Sequence, residues 1–271
     1  MHAASREALT RVGDFLDRTI QADNSVTVAA QTGMELFEVV DILDNERSLR
    51  VAIADSSVDA SQRAGIVDKL FGGKIAEPTL SVLKEAAATN WSTPRDLRNG
   101  LITLGRRALL RGAESQGQLV QVEEELFEVS RTLVREGKLT QLLSDRNAAS
   151  SQRRGLLASV LYGKVTMFTE ALALQAIGRP ENNPIDDISG ISSQAAQLRG
   201  RSVARVVTAA ELNEDQQAKL AEKLGKIYGR EMTVHTEVDP SLLGGAVIRV
   251  GDEVIDGSTR NKLDRMRAAL A

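Results

Sequence analysis

The chain contains no cysteine among its 271 residues. That absence excludes disulfides, thiolate nucleophiles and zinc–thiolate sites, and it fits a reducing compartment. Histidine is almost as scarce, with only His2 and His235. A metal site would rest on carboxylates almost alone, and the acidic residues show no ligand-loop spacing. Aromatic residues make up 3% of the chain, so the cores must be built from Leu, Val, Ile and Ala, a palette that favours helices. No apolar run approaches the roughly 20 residues that span a bilayer. No charge of one sign dominates either. The 34 basic and 37 acidic residues leave a formal net charge of -3, which gives no global attraction to nucleic acid or to an anionic membrane. Arg6, Arg11 and Arg18 are interrupted by Glu7, Asp14 and Asp17 and lead into no apolar stretch, so neither a secretory nor an organellar leader is expected.

What the chain does have is a 42% hydrophobic content and an internal repeat, within a length that leaves room for two or three small domains. At an offset of 90 residues, Glu35-Leu-Phe-Glu-Val39 returns as Glu125-Leu-Phe-Glu-Val129. Leu43, Glu46, Leu49 and Asp55 return as Leu133, Glu136, Leu139 and Asp145, and Ser61-Gln-Arg63, Gly65 and Gly73-Lys74 return without a gap. Each copy carries helical stripes, Leu36, Val39, Val40 and Leu43 in the first and Leu126, Val129 and Leu133 in the second, at the i, i+3, i+4, i+7 spacing of one helix face. Glycine at positions 72, 73 and 163 ends a helix in each. A period of 90 exceeds the about 20–50 residues of solenoid units, so the copies are expected to be tandem helical bundles. Asn90-Trp91-Ser92-Thr93-Pro94 separates them, and Gly178-Arg179-Pro180-Glu181-Asn182-Asn183-Pro184 closes the second. The expected organisation is mainly α with a small α/β domain: one bundle over 1–90, a second with a connecting helix from about Ile188 to Leu198 over 91–198, and a C-terminal β-α-β-β-α module over 199–271.

That module ends on the most ordered pattern in the chain, Asp239-Pro-Ser-Leu-Leu-Gly-Gly-Ala-Val-Ile-Arg-Val-Gly-Asp-Glu-Val-Ile-Asp-Gly-Ser-Thr-Arg-Asn-Lys-Leu263. Pro240 and Ser241 make a turn, and Gly244-Gly245 lets two backbones approach closely. Ala246–Val250 reads as a strand, Gly251-Asp252 turns into the short strand Glu253-Val254-Ile255, and Asp256-Gly257-Ser258 ends it. Ser258 then caps a helix with Leu263, Met266 and Leu270 on one face. The segment resembles the C-terminal signature of the delta subunit of F-type ATP synthases, the bacterial counterpart of the mitochondrial oligomycin-sensitivity-conferring protein. Its signature positions here are Asp239, Pro240, Gly244, Gly245, Gly251, Asp256, Gly257 and Ser258. Arg107-Ala-Leu-Leu110 and Gly117-Gln-Leu-Val-Gln-Val-Glu-Glu-Glu-Leu126 are similar to the opening of that family's single helical bundle, so the second copy is the family-typical one. The duplication resembles actinobacterial forms, some of which are fused to a stalk helix. With no such helix here, the stalk is expected to be a separate chain.

The resemblance implies a non-catalytic stator subunit without cofactor or metal. Its partners would be the N-terminal helices of the alpha subunits and a b-type peripheral stalk, and nucleic acid would not be among them. It would lie at the cytoplasmic face of the plasma membrane through those partners, with no direct insertion. Leu97, Leu101 and Leu104 are candidates for the partner groove, beside the alternative that they are intradomain core. The competing reading is a small-ligand-binding or enzymatic α/β domain carried on helical bundles.

Other motifs read as structure. Gly72-Gly73-Lys74 lacks the upstream glycine, the hydroxyl residue and the preceding strand of a phosphate loop, and a helix C-cap suits it better. Gly244-Gly245 enters a strand, unlike a dinucleotide fingerprint, which opens a helix. Asp252, Glu253 and Asp256 sit where turns favour acidic residues, with no partner for acid–base work. His235 reads as a solvated strand position. Arg95, Arg98, Arg106, Arg107 and Arg111 form a basic helical segment, either solvated or facing an acidic partner.

Overall fold

The computed structural model describes residues 2–23, 26–199, 202–228, 232–242, 244–250 and 253–261. It is mainly helical with a small mixed sheet near the C-terminus, as expected, and it divides into two compact units, Met1–Ile191 and Ser192–Ala271.

The first unit is built from α1 (Ala3–Asp23), α2 (Val26–Asn45), α3 (Arg47–Ala54), α4 (Ala60–Phe71), α5 (Glu77–Ala88), α6 (Pro94–Ser115), α7 (Leu119–Arg135), α8 (Gly137–Ser144), α9 (Ser150–Leu161) and α10 (Met167–Gly178), and α11 (Pro184–Leu198) runs from it into the second. The sequence repeat is visible in these boundaries. α3, α4 and α5 reappear as α8, α9 and α10 at the same offset of 90, and Pro94 at the start of α6 reappears as Pro184 at the start of α11. The caps repeat as well: Thr93 Oγ1 accepts from the Asp96 amide at 3.0 Å, and Asn183 Oδ1 accepts from the Asp186 amide at 2.9 Å. α11 therefore starts at Pro184, four residues before the expected Ile188, because Asn183 supplies the N-cap and proline suits the first helical turn. Gly73 and Gly163 end α4 and α9 at φ +69 and +68. The Lys74 amide bonds back to the Phe71 carbonyl at 2.9 Å, so Gly72-Gly73-Lys74 is a helix stop.

Residue 90 falls inside the first unit, because α6 serves both repeats. It packs on α1, α2, α3 and α5 of the first and on α7 and α10 of the second. The crossing with α2 is close. A Cβ added at Gly33 would lie 2.8 Å from Leu109 Cγ and 2.9 Å from the Gly105 carbonyl, and one at Gly105 would lie 2.8 Å from the Phe37 ring. Leu97, Leu101, Ile102, Leu104, Ala108, Leu109, Leu110 and Ala113 are buried around α6, which makes it a central helix rather than a surface one.

The second unit continues from α11 into β1 (Ser202–Thr208), α12 (Glu214–Tyr228), β2 (Met232–Val238), a short 3-10 turn at Pro240–Leu242, β3 (Ala246–Val250) and β4 (Glu253–Asp256). The order is thus β-α-β-β-β through Asp256, one strand more than β-α-β-β-α counts, because Glu253–Asp256 pairs antiparallel with β3. The helix expected to carry Leu263, Met266 and Leu270 lies outside the described residues apart from its start. The sheet order is β2-β1-β3-β4, with β1 parallel to β2 and antiparallel to β3. Ala204, Val206, Leu224, Met232 and Val250 form its core, with Leu220, Tyr228 and Ile248 packed against them.

Candidate functional site

The C-terminal signature forms a hydrogen-bonded closure. The Asp239 amide donates to the Thr208 carbonyl at 2.7 Å, and Asp239 Oδ1 accepts from the Ser241 amide at 2.9 Å. Pro240 opens the 3-10 turn. Gly244 and Gly245 have φ of +134 and +79, and a Cβ on Gly245 would lie 2.4 Å from the Gly257 carbonyl. This is the close backbone approach that the glycine pair suggested. The Gly257 amide donates to the Ala246 carbonyl at 2.9 Å and the Thr259 amide to the Gly244 carbonyl at 3.0 Å. Asp256 Oδ1 accepts from the Ser258 amide at 2.9 Å, and Ser258 Oγ caps the next helix by accepting from Asn261 at 3.2 Å. The Ser241 hydroxyl and amide hold the Asp239 carboxyl below the ordinary aspartate range, and those of Ser258 do the same for Asp256. These carboxylates accept local bonds and are spoken for. Glu253 accepts from the Tyr228 hydroxyl at 2.9 Å. Gly251 and Asp252 lie outside the described residues.

His235 differs from its expectation. It is 9% exposed and pairs in register with Arg205 on the neighbouring strand, so it is a buried position of β2 and not a solvated one.

Leu97, Leu101 and Leu104 are each 0% exposed. They are interior residues of α6, and a groove lined by them would require α6 to part from its neighbours. Four of the five arginines of the same helix reach acids of this chain, whereas Arg95 is exposed. Arg107 and Arg111 both grip Asp17 of α1, Arg98 grips Asp44 of α2 at 2.6 Å, and Arg106 lies 3.4 Å from Glu181. Burial raises the Asp17 carboxyl, but the hydrogen bonds and charges of Arg107 and Arg111 outweigh it and hold the group below the ordinary aspartate value. The acidic partner of the basic segment is therefore largely this chain itself.

Several residues have structural roles that the sequence alone did not assign. Glu35 of α2 accepts from the Ala76 amide at 3.0 Å and from Thr79, capping α5 from a neighbouring helix. Its repeat, Glu125 of α7, accepts from the Thr166 amide and hydroxyl at 2.8 and 2.9 Å and caps α10. The return of the same glutamate in both copies was the signal. Arg179 joins the repeats: it donates to the Phe37 carbonyl at 2.8 Å, pairs with Asp41, and stands 5.6 Å from the Phe37 ring.

Both repeats expose large apolar side chains, Met34, Ile42, Val51 and Leu70 in the first, but the most exposed ones lie in the second. Tyr162 and Met167 are 82% and 65% exposed, and Val134 and Leu142 are also exposed. The equivalent residues of the first repeat are Gly72, Glu77, Asp44 and Ala52. In the C-terminal unit, Val254 and Ile255 are exposed on the edge strand β4. Among the described residues, no helix is long and apolar enough to cross a membrane, and no group of three or more His, Asp or Glu side chains converges as a metal site.

Comparison with known proteins agrees with the signature. The family model for the ATP synthase delta (OSCP) subunit matches residues 107–270, a span that opens inside α6 and takes in the second repeat from α7 onward. The chain is 66% identical over 271 residues to the ATP synthase subunit delta of Corynebacterium glutamicum (strain R), covering 100% of both chains. It is 65% identical to the one from Corynebacterium efficiens, covering 100% of this chain and 99% of that one, and 60% identical to the one from Corynebacterium diphtheriae, covering 100% of both. A chain of the Toxoplasma gondii mitochondrial ATP synthase hexamer aligns with a TM-score of 0.38 and 20% identity over 61% of this chain and 94% of that one. With its signature intact and its relatives matched from end to end, the chain belongs to the ATP synthase delta (OSCP) subunit family.

Proposed function

We propose that this chain is a non-catalytic stator subunit of a proton-driven rotary ATP synthase, joining the N-terminal helices of the alpha subunits in the catalytic head to a b-type peripheral stalk. The observation that carries this reading is the end-to-end identity to subunits named ATP synthase subunit delta. The polar groups of the C-terminal signature support it, since they are spent on holding turns together. In this reading the chain sits at the cytoplasmic face of the plasma membrane, held there by its partners. The exposed Val134, Leu142, Tyr162 and Met167 favour the second repeat for docking an amphipathic helix, and the exposed Val254 and Ile255 of β4 favour the C-terminal unit for the stalk. Spreading load over many apolar contacts suits a part that resists torque.

Titration calorimetry on the full chain tests this. Synthetic peptides from the alpha N-terminus and the b C-terminus of the host should each bind with 1:1 stoichiometry. Tyr162→Ser with Met167→Ser should weaken the alpha peptide at least about tenfold, as loss of anchor side chains does, and leave the b peptide unaffected. Failure of both peptides to bind would overturn the stator reading.

A further inference from the structure

The second repeat carries a half-open pocket of about 300 Å³ between α7, α8 and α9 that the stator reading does not use. Val129, Leu133, Leu139, Leu157 and Leu161 are among the side chains that wall it, and Glu125, Glu128 and Lys164 are its charged members. The two acids are engaged, Glu125 by Thr166 and Glu128 by Arg135 at 3.4 Å. The exposed Lys164 ammonium has no ion pair among the described residues.

The first repeat allows the side chains at equivalent positions to be compared. Helices α4 and α9 occupy equivalent positions 90 residues apart, and Glu35, Glu38, Val39, Leu43, Leu49 and Lys74 keep the identities of their counterparts. Where the second repeat has Leu161, however, the first has Phe71, which is buried. Ile42, Leu70 and Ile75 likewise stand where the second has Thr132, Val160 and Val165, and only Val67 against Leu157 runs the other way. Around this pocket the second repeat therefore carries mostly smaller side chains in a retained frame. A closed apolar cavity of about 150 Å³ already holds benzene, so this larger, half-open pocket has room for an alkyl tail whose polar end stays in water. We propose that it binds a free medium-chain monocarboxylate, with the tail among the leucines and the carboxylate on Lys164. The proposal does not depend on the stator reading.

The test is calorimetric titration of octanoate, and separately of octanol, into the full chain. Octanoate should show one saturable site at about millimolar concentration. Leu161→Phe, which installs the first repeat's ring, should abolish that binding while keeping the thermal midpoint at or above the parent's. Thr132→Ile, which narrows the same space, should weaken it and serves as the readout if Leu161→Phe fails to fold. Lys164→Met should weaken octanoate about threefold to fivefold, the worth of an exposed ion pair, and leave octanol unchanged. No saturable heat with octanoate, or unaltered octanoate binding in folded Leu161→Phe or Thr132→Ile protein, would overturn the site. Equal losses of octanoate and octanol in Lys164→Met would overturn the carboxylate assignment.

Discussion

Asp17 shows how much one side chain can carry. It lies on α1, yet its carboxylate takes the guanidinium groups of Arg107 and Arg111 on α6, so it ties the first helix of the chain to the central one. Because its carboxyl is held below the ordinary aspartate value in the fold, the stabilisation it supplies is fully present above the unfolded aspartate range and disappears as pH falls through the lower, folded value. Asp17→Asn should therefore cost about 1–2 kcal/mol near neutral pH, a figure reduced from the fully buried case because water reaches part of the pair. Urea unfolding at pH 7 and then below about pH 4 checks this, and the gap between parent and variant should close in acid. A gap that persists unchanged in acid would mean that the carboxylate charge is not what matters. Sequence reading named the arginines and also Asp17, but as separate features. They are 90 and 94 residues apart, and no local pattern announces such a pairing.

At the scale of elements, helices were legible and their neighbours were not. The stripes at Leu36, Val39, Val40 and Leu43 and the glycine stops at 73 and 163 marked real helices, since periodicity and the left-handed cap act over a few residues. The apolar residues of α6 marked a helix too. Leu97, Leu101 and Leu104 are only part of its buried surface: Ile102, Ala108, Leu109 and Leu110 are buried as well, and its arginines reach acids of neighbouring helices, so most of its circumference is covered. Gly105 is what lets α2 cross it so closely. Gly105→Ala adds about 1 kcal/mol of helix propensity, but the new methyl meets the buried Phe37 ring and overpacking costs about 1–3 kcal/mol. A net loss of about 1 kcal/mol should appear as a lowered thermal midpoint, and an unchanged or raised midpoint would show that the crossing can relax.

At the scale of the whole molecule, the repeat was read correctly as a duplication, and what the copies share came only from the fold. If α6 completes the first repeat, a fragment of residues 1–90 should lack a cooperative thermal transition and bind a hydrophobic dye, whereas residues 1–115, which add α6, should melt cooperatively by circular dichroism. Equal cooperativity in both would support residue 90 as a self-sufficient boundary. By itself the sequence determined the helical bias, the 90-residue duplication, the helix stops, the C-terminal closure and the family, because each is written in composition or in patterns of neighbouring residues. Tertiary structure alone decided that one helix serves two repeats, that Leu97, Leu101 and Leu104 are interior, that the basic segment is answered by acids of its own chain, and that His235 is buried. The physical reason is the same throughout. A periodic pattern states that a face is to be buried, while the identity of what covers it depends on contacts between residues far apart in the chain.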